Sequence, residues 1–188
     1  MNAANWARHS KPLVAALHDY RTIKFGFVRE SEWIAHGFLA ESSDFDRDVF
    51  YLEAFVLPLF IPTKFIYFDY GFRVGAWETV DVEVVRAVEL ARGRLESAAT
   101  AMNLETALSK YSGIRQLEVR VGLAIIREDG LQAMRLVNAV RSERTERDWE
   151  RVVRDRVLDL WSVYETQGRD VALDQLESTR VAVRSLFT

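Results

Sequence analysis

Residues 50–72 read FYLEAFVLPLFIPTKFIYFDYGF, and this stretch decides the fold. Two runs rich in aromatic and β-branched residues flank Pro58, Leu59, Phe60, Ile61, Pro62 and Thr63. Side chains of those types suit a pleated, packed surface, and paired prolines suit a wide turn. The stretch therefore predicts a strand over 49–57, a turn, and a returning strand over 64–74. The first of these runs is almost wholly apolar, which predicts a central strand covered on both faces.

Upstream, Leu13, Leu17 and Tyr20 recur at helical spacing, Pro12 fits a first turn, and Gly26 can supply a left-handed stop. A helix is expected over 5–24. Residues 32–40 read as a first strand, and 41–48 as a polar turn pivoting on Ser42, Ser43 and Asp44. Short connections make the three strands an antiparallel meander. Three strands cannot hide both faces of a central one, so helices from both ends of the chain must pack on it.

Composition shifts at residues 71–79. All three prolines and all three histidines precede this point, leaving the remainder free of helix-breaking proline. Val84, Val88, Ala91, Leu95, Ala98 and Met102 step by four and three, an amphipathic helix over 80–102 that Asp81 can cap. Helices are expected over 103–111, 114–127 and 131–144, the last two turning at Asp129 and Gly130. Trp149, Val153, Leu160, Trp161 and Tyr164 mark one face of a further helix stopped at Gly168, and Asp170 can cap a last one. The fold class is α+β: an N-terminal helix, a three-stranded antiparallel meander, then antiparallel helices packed on the sheet. Residues 1–78 form the helix-plus-sheet part and 79–188 the helical hairpins, joined as one globular unit.

The bulk properties narrow the chemistry. Of 188 residues 49% are apolar and 28% charged, the balance of a folded globular chain. The net charge of -3 implies no general affinity for nucleic acid or anionic membrane. With no cysteine, disulfides, zinc–thiolate sites, iron–sulfur clusters and cysteine nucleophiles are excluded. The longest uncharged apolar run, 54–61, falls far short of the roughly 20 residues that span a bilayer. No apolar signal segment opens the chain, so the expected location is soluble and cytoplasmic. Phosphate-loop, dinucleotide, zinc-protease and nucleophile-elbow signatures are all lacking, and no cofactor is implied.

Several residue groups remain as candidates. Glu53 and Asp69 are lone charges within the two aromatic runs, and a turn centred on Ile61 would set them directly opposite each other. Like charges so placed repel, so one would hold a proton or Arg73 would stand between them. His36 shares a strand face with Ile34 and Phe38, and with Glu53 and Asp69 it could form an acid–base cluster. The ordinary alternative is a pair of ion-paired sheet carboxylates and a structural histidine. Asp44, Asp46 and Asp48 resemble the start of a calcium loop, but Val49 and Phe55 stand where glycine and the bidentate glutamate belong. Arg141, Arg144, Arg147, Arg151 and Arg154 advance by three or four as an exposed helical ridge. Glu143, Glu150 and Asp155 lie four residues from Arg147, Arg154 and Arg151, the pattern of a salt-bridged solvated face.

These readings favour a non-catalytic protein-interaction role of adaptor, regulatory or toxin-neutralising type. Its partner is another protein, a second copy of the chain included, with Arg144, Arg147, Arg151 and Arg154 as the candidate contact residues. The alternative is an enzyme or small-ligand binder using Glu53, Asp69, His36 and Arg73. Nucleic-acid binding through the arginine ridge ranks third, and no membrane partner is expected.

Overall fold

The apolar run of 50–58 does form an interior strand covered on both faces: β4, Phe50–Pro58, is buried at every position but Tyr51. It pairs on one side with β3, Ile34–Ser42, and on the other with β5, Phe72–Trp77. These coordinates are a computed structural model, which describes residues 6–7, 10–43, 46, 49–66, 70–110 and 113–187. Together with β1, Arg21–Ile23, and β2, Gly26–Glu30, the sheet has, among the described residues, five antiparallel strands in the order β1-β2-β3-β4-β5.

The meander is thus longer than the three strands expected. Among the described residues the helix expected over 5–24 is shorter: Trp6 and Ala7 are helical, α1 covers Lys11–Ala16, and the chain then turns into the β1–β2 hairpin. Thr22, Ile23, Phe25, Phe27 and Val28 explain the difference, because β-branched and aromatic side chains pack better on a pleated sheet than along a helix. Gly26 is no helix stop. It lies in β2 opposite Leu39, with the Phe38 carbonyl where a Cβ would stand. The third expected strand also begins later than residue 64. Its described part is Phe72–Trp77, and a register irregularity falls between Leu52 and Glu53.

Alternation assigns the faces. Ile34, His36 and Phe38 lie with Leu52, Ala54 and Val56 on one face, because directly paired residues share a side. Leu95, Val88 and Val84 of α2, Val82–Ala98, are buried, and this helix packs across β3, β4 and β5 and against α1. Asp81 caps it, accepting from the backbone N–H groups of Glu83 and Val84. Trp6 closes the far end of the same face with edge contacts to Phe27 and Phe50. On the other face Phe55 stacks on Phe187, ring centroids 6.5 Å apart. Gly37, directly opposite Phe55, gives that ring its space: a Cβ there would meet it at 3.0 Å.

The remaining helices are α3, Ala101–Leu108; α4, Ile114–Ile126; α5, Gly130–Ser142; α6, Asp148–Gln167; and α7, Arg169–Arg184. The chain divides into two compact units. One holds Met1–Pro58, Lys64–Thr100 and Leu186–Thr188, and so includes the sheet, α1 and α2. The other holds Leu59–Thr63 and Ala101–Ser185, and so takes the wide turn after β4 together with α3 to α7. Within it, the chain leaves α4 through Glu128, which adopts the left-handed region at φ 63°. Arg169 caps that end by donating to the carbonyls of Ile125 and Ile126 and pairing with Glu128 at 2.8 Å. Gly168 stops α6 at φ 92°. No helix among the described residues is long and apolar enough to cross a membrane.

Phe55→Ala is expected to cost about 3–5 kcal/mol, through lost transfer energy and the cavity left between Gly37 and Phe187. Urea or guanidinium unfolding checks this, and a loss below about 1 kcal/mol would mean that the ring is not in a core.

Candidate functional site

The sheet separates the residues that the acid–base cluster would have combined. His36 pairs with Val56 and Glu53 with Leu39, so by alternation the two side chains leave opposite faces of the sheet. Glu53 has Arg73 as its partner across the strands. The register is centred nearer Thr63 than Ile61 because the turn uses more residues than the hairpin reading assumed. Asp69 lies outside the described residues, as do Asp44, Phe45, Arg47 and Asp48 of the calcium-like turn.

Arg73 donates to Glu53 through Nε at 2.6 Å and lies over the Tyr51 ring at 4.1 Å from its centroid. The glutamate side chain is 9% exposed and the arginine 56%. A buried carboxylate needs such a partner, and a guanidinium entering from the edge strand supplies it. The pair holds the sheet edge together and presents no free base.

His36 belongs to a different group. Its ring is edge-on to Tyr20 at 5.5 Å, and among the described residues neither nitrogen has a hydrogen-bond partner. Above these rings lies a ring of four charges. Asp19 Oδ2 accepts from Arg29 and from Arg92, each at 2.8 Å. Glu96 Oε1 accepts from Arg29 at 3.0 Å and from Arg92 at 2.8 Å. Arg92 also donates to the Ala16 carbonyl, 3.1 Å away. Two arginines and two carboxylates cancel, and they tie the segment after α1 to β2 and α2.

Burial, reinforced by the Arg29 and Arg92 charges, lowers the His36 pKa to about 4, although Glu96 and Asp19 pull it upward. Burial also pushes the Tyr20 phenol up, helped by Glu96. Burial tends to raise Glu96 itself, but its hydrogen bond to Arg92 and the charges of Arg92 and Arg29 hold it below the usual carboxylate range. At neutral pH His36 is an uncharged core imidazole, poorly suited to moving protons. The sequence signals for this network were a lone cation, Arg29, inside an apolar strand, and Arg92 four residues before Glu96 on one helix.

Two clefts lie in the helical unit. One, of about 90 Å³, has Phe60, Val157, Leu160 and Leu176 as apolar walls and the Glu118–Arg156 pair at its polar end. Arg156 Nε donates to Glu118 Oε1 at 2.6 Å. Burial raises the Glu118 carboxyl, with Arg156 offsetting part of the shift. The other, of about 190 Å³, lies at the start of α4 and is lined by Ile114, Arg115, Gln116, Arg144 and Trp149. The Arg115 guanidinium sits over the Trp149 ring at 4.8 Å. Glu118 between Leu117 and Val119 was a sequence sign of the first cleft, and nothing local marked the second.

The five arginines do not form the single helical ridge expected: Arg141 lies in α5, Arg144 and Arg147 in the connection after it, and Arg151 and Arg154 in α6, and most are neutralised by their own neighbours. Arg151 pairs with Asp148, Arg154 with Asp155 at 3.6 Å, and Arg144 with Glu146 at 3.4 Å. Glu150 accepts the backbone N–H groups of Glu146 and Arg147, capping α6. Among the described residues no three His, Asp or Glu side chains converge as a metal site would need. No family model matches the chain, and no curated protein or solved structure matches it either.

The His36 environment sets a pH dependence of stability. The folded pKa of about 4 lies below the ordinary 6.5, so as pH falls below about 6.5 the unfolded chain takes the proton first. The resulting loss of stability grows to about 2 kcal/mol at about pH 5 and levels off below about pH 4. His36→Leu is expected to remove this component. Denaturant midpoints of both proteins at about pH 7.5 and about pH 5 check it: a difference between them that does not change with pH would contradict the assignment.

Proposed function

We propose that this protein is a non-catalytic protein-interaction protein, of adaptor, regulatory or toxin-neutralising type, that grips a partner protein at the Trp149 cleft. The observation that carries this reading is the Arg115–Trp149 stack. Trp149 is 38% exposed although a guanidinium covers one face of its ring, and Val152, three residues on, is 59% exposed. Arg144, at the same cleft, is 89% exposed. Tryptophan and arginine dominate the energetics of protein interfaces, and a rigid aromatic beside a cleft is the usual anchor. Exposed ion pairs such as Arg144–Glu146 contribute little, so a partner carboxylate can replace Glu146 at small cost. The partner surface that fits is therefore an apolar side chain flanked by acid, on another protein or on a second copy of this chain.

The enzymatic alternative loses support because His36 and Glu53 face apart and each is engaged within the core. The nucleic-acid alternative loses support because these arginines carry their own counter-charges.

Affinity capture from the native cell tests the reading with the wild type, Trp149→Ala and Arg144→Glu side by side. The expected result is a partner whose binding weakens about 30-fold or more in Trp149→Ala, with thermal unfolding little changed. An identical set of bound proteins for all three would contradict it.

A further inference from the structure

We propose that the Glu118–Arg156 cleft of the helical unit binds a primary carboxamide carried on a short apolar stem. The inference concerns a different site from the Trp149 surface and does not rest on it.

Size comes first. A cleft of about 90 Å³ corresponds to roughly three waters at about 30 Å³ each, which is room for a group of about four to six heavy atoms. Gly122 sets the position of one wall: a Cβ there would meet the Phe60 ring at 2.4 Å, so the ring packs against the α4 backbone as it does only because the position is glycine.

Polarity then selects the head group. Glu118 is 7% exposed, and its Oε1 takes the Arg156 Nε hydrogen bond. Among the described residues, Glu118 Oε2 accepts no hydrogen bond and the Arg156 Nη groups donate none. The cleft thus offers one acceptor and charged donors side by side with no net charge. An anion would meet Glu118 and a cation would meet Arg156, each partly desolvated, which is unfavourable for either sign. A carboxamide presents an N–H donor beside a carbonyl acceptor on one planar group and satisfies both partners. The Gln175 side chain at the rim can supply a further donor and acceptor. The walls then select the stem: Val157 and Leu176 are buried, and Leu160 is half-buried, an aliphatic lining suited to a short apolar stem.

The same head group occurs on a free small amide and on a glutamine side chain of a bound peptide. Methyl NMR of the full chain tests the proposal with three probes that share one stem: isobutyramide, isobutyrate and isobutylammonium. Isobutyramide is expected to shift the Val157, Leu160 and Leu176 methyls saturably with Kd on the order of 1 mM, as so small a ligand allows. The two charged analogues should bind at least about tenfold more weakly. Leu160→Trp, which enlarges one wall of the cleft and leaves the ion pair untouched, should abolish the shifts, whereas Trp149→Ala should keep them. The blocked peptide acetyl-Ala-Gln-Ala-amide separates the sources. Binding about tenfold tighter than isobutyramide assigns the cleft to a partner's glutamine, and equal or weaker binding assigns it to a free amide. No saturable shift with either amide, or a charged analogue binding as tightly, would overturn the proposal.

Discussion

A strand buried on both faces can carry a carboxylate only where a cation reaches it, and β4 obeys that constraint. Its lone charge, Glu53, sits one position from the register irregularity that brings Arg73 opposite, and the arginine keeps its outer end in water. Slipping β5 by one residue would move Arg73 to the other face and leave Glu53 buried without a partner. The pair therefore fixes the register on one side of β4, as nine continuous residue pairs with β3 fix it on the other. The two faces are then closed by unlike means. Helix α2 and Trp6 cover the His36 face, and Phe187, from the far end of the chain, stacks on Phe55.

The same constraint shows why some elements were legible in the sequence and others were not. The apolar run of β4 and the four-three spacing of α2 were plain, because burial imposes composition or period directly. The β1–β2 hairpin was hidden behind Leu13, Leu17 and Tyr20, whose helical spacing is real but serves only a short helix. Leu17 and Tyr20 are buried beyond its end, by tertiary contacts and not by helix periodicity. The position of β5 was hidden for another reason. Residues 64–74 carry strand-forming side chains throughout, so composition could not say which of them pair.

Site chemistry was less legible than fold. The sequence placed His36 and Glu53 as neighbours in a sheet, and face assignment depends on a register that a turn of uncertain length cannot supply. What the fold assembles instead are partnerships between distant segments: Asp19 and Arg29 with Arg92 and Glu96, Arg115 with Trp149, and Glu118 with Arg156. In the sheet unit these charges are consumed in holding elements together, and an uncharged imidazole lies beneath them. In the helical unit two pairs stand beside clefts.

The fold depends on β4 being an interior strand, hydrogen-bonded on both edges and buried on both faces. Native-state amide hydrogen exchange measures this directly. The amides of residues 52–57 are expected to be among the slowest in the protein, exchanging only through global unfolding with a free energy equal to that from denaturant. Exchange of those amides through local opening, faster than that of the exposed edge strands, would contradict the account.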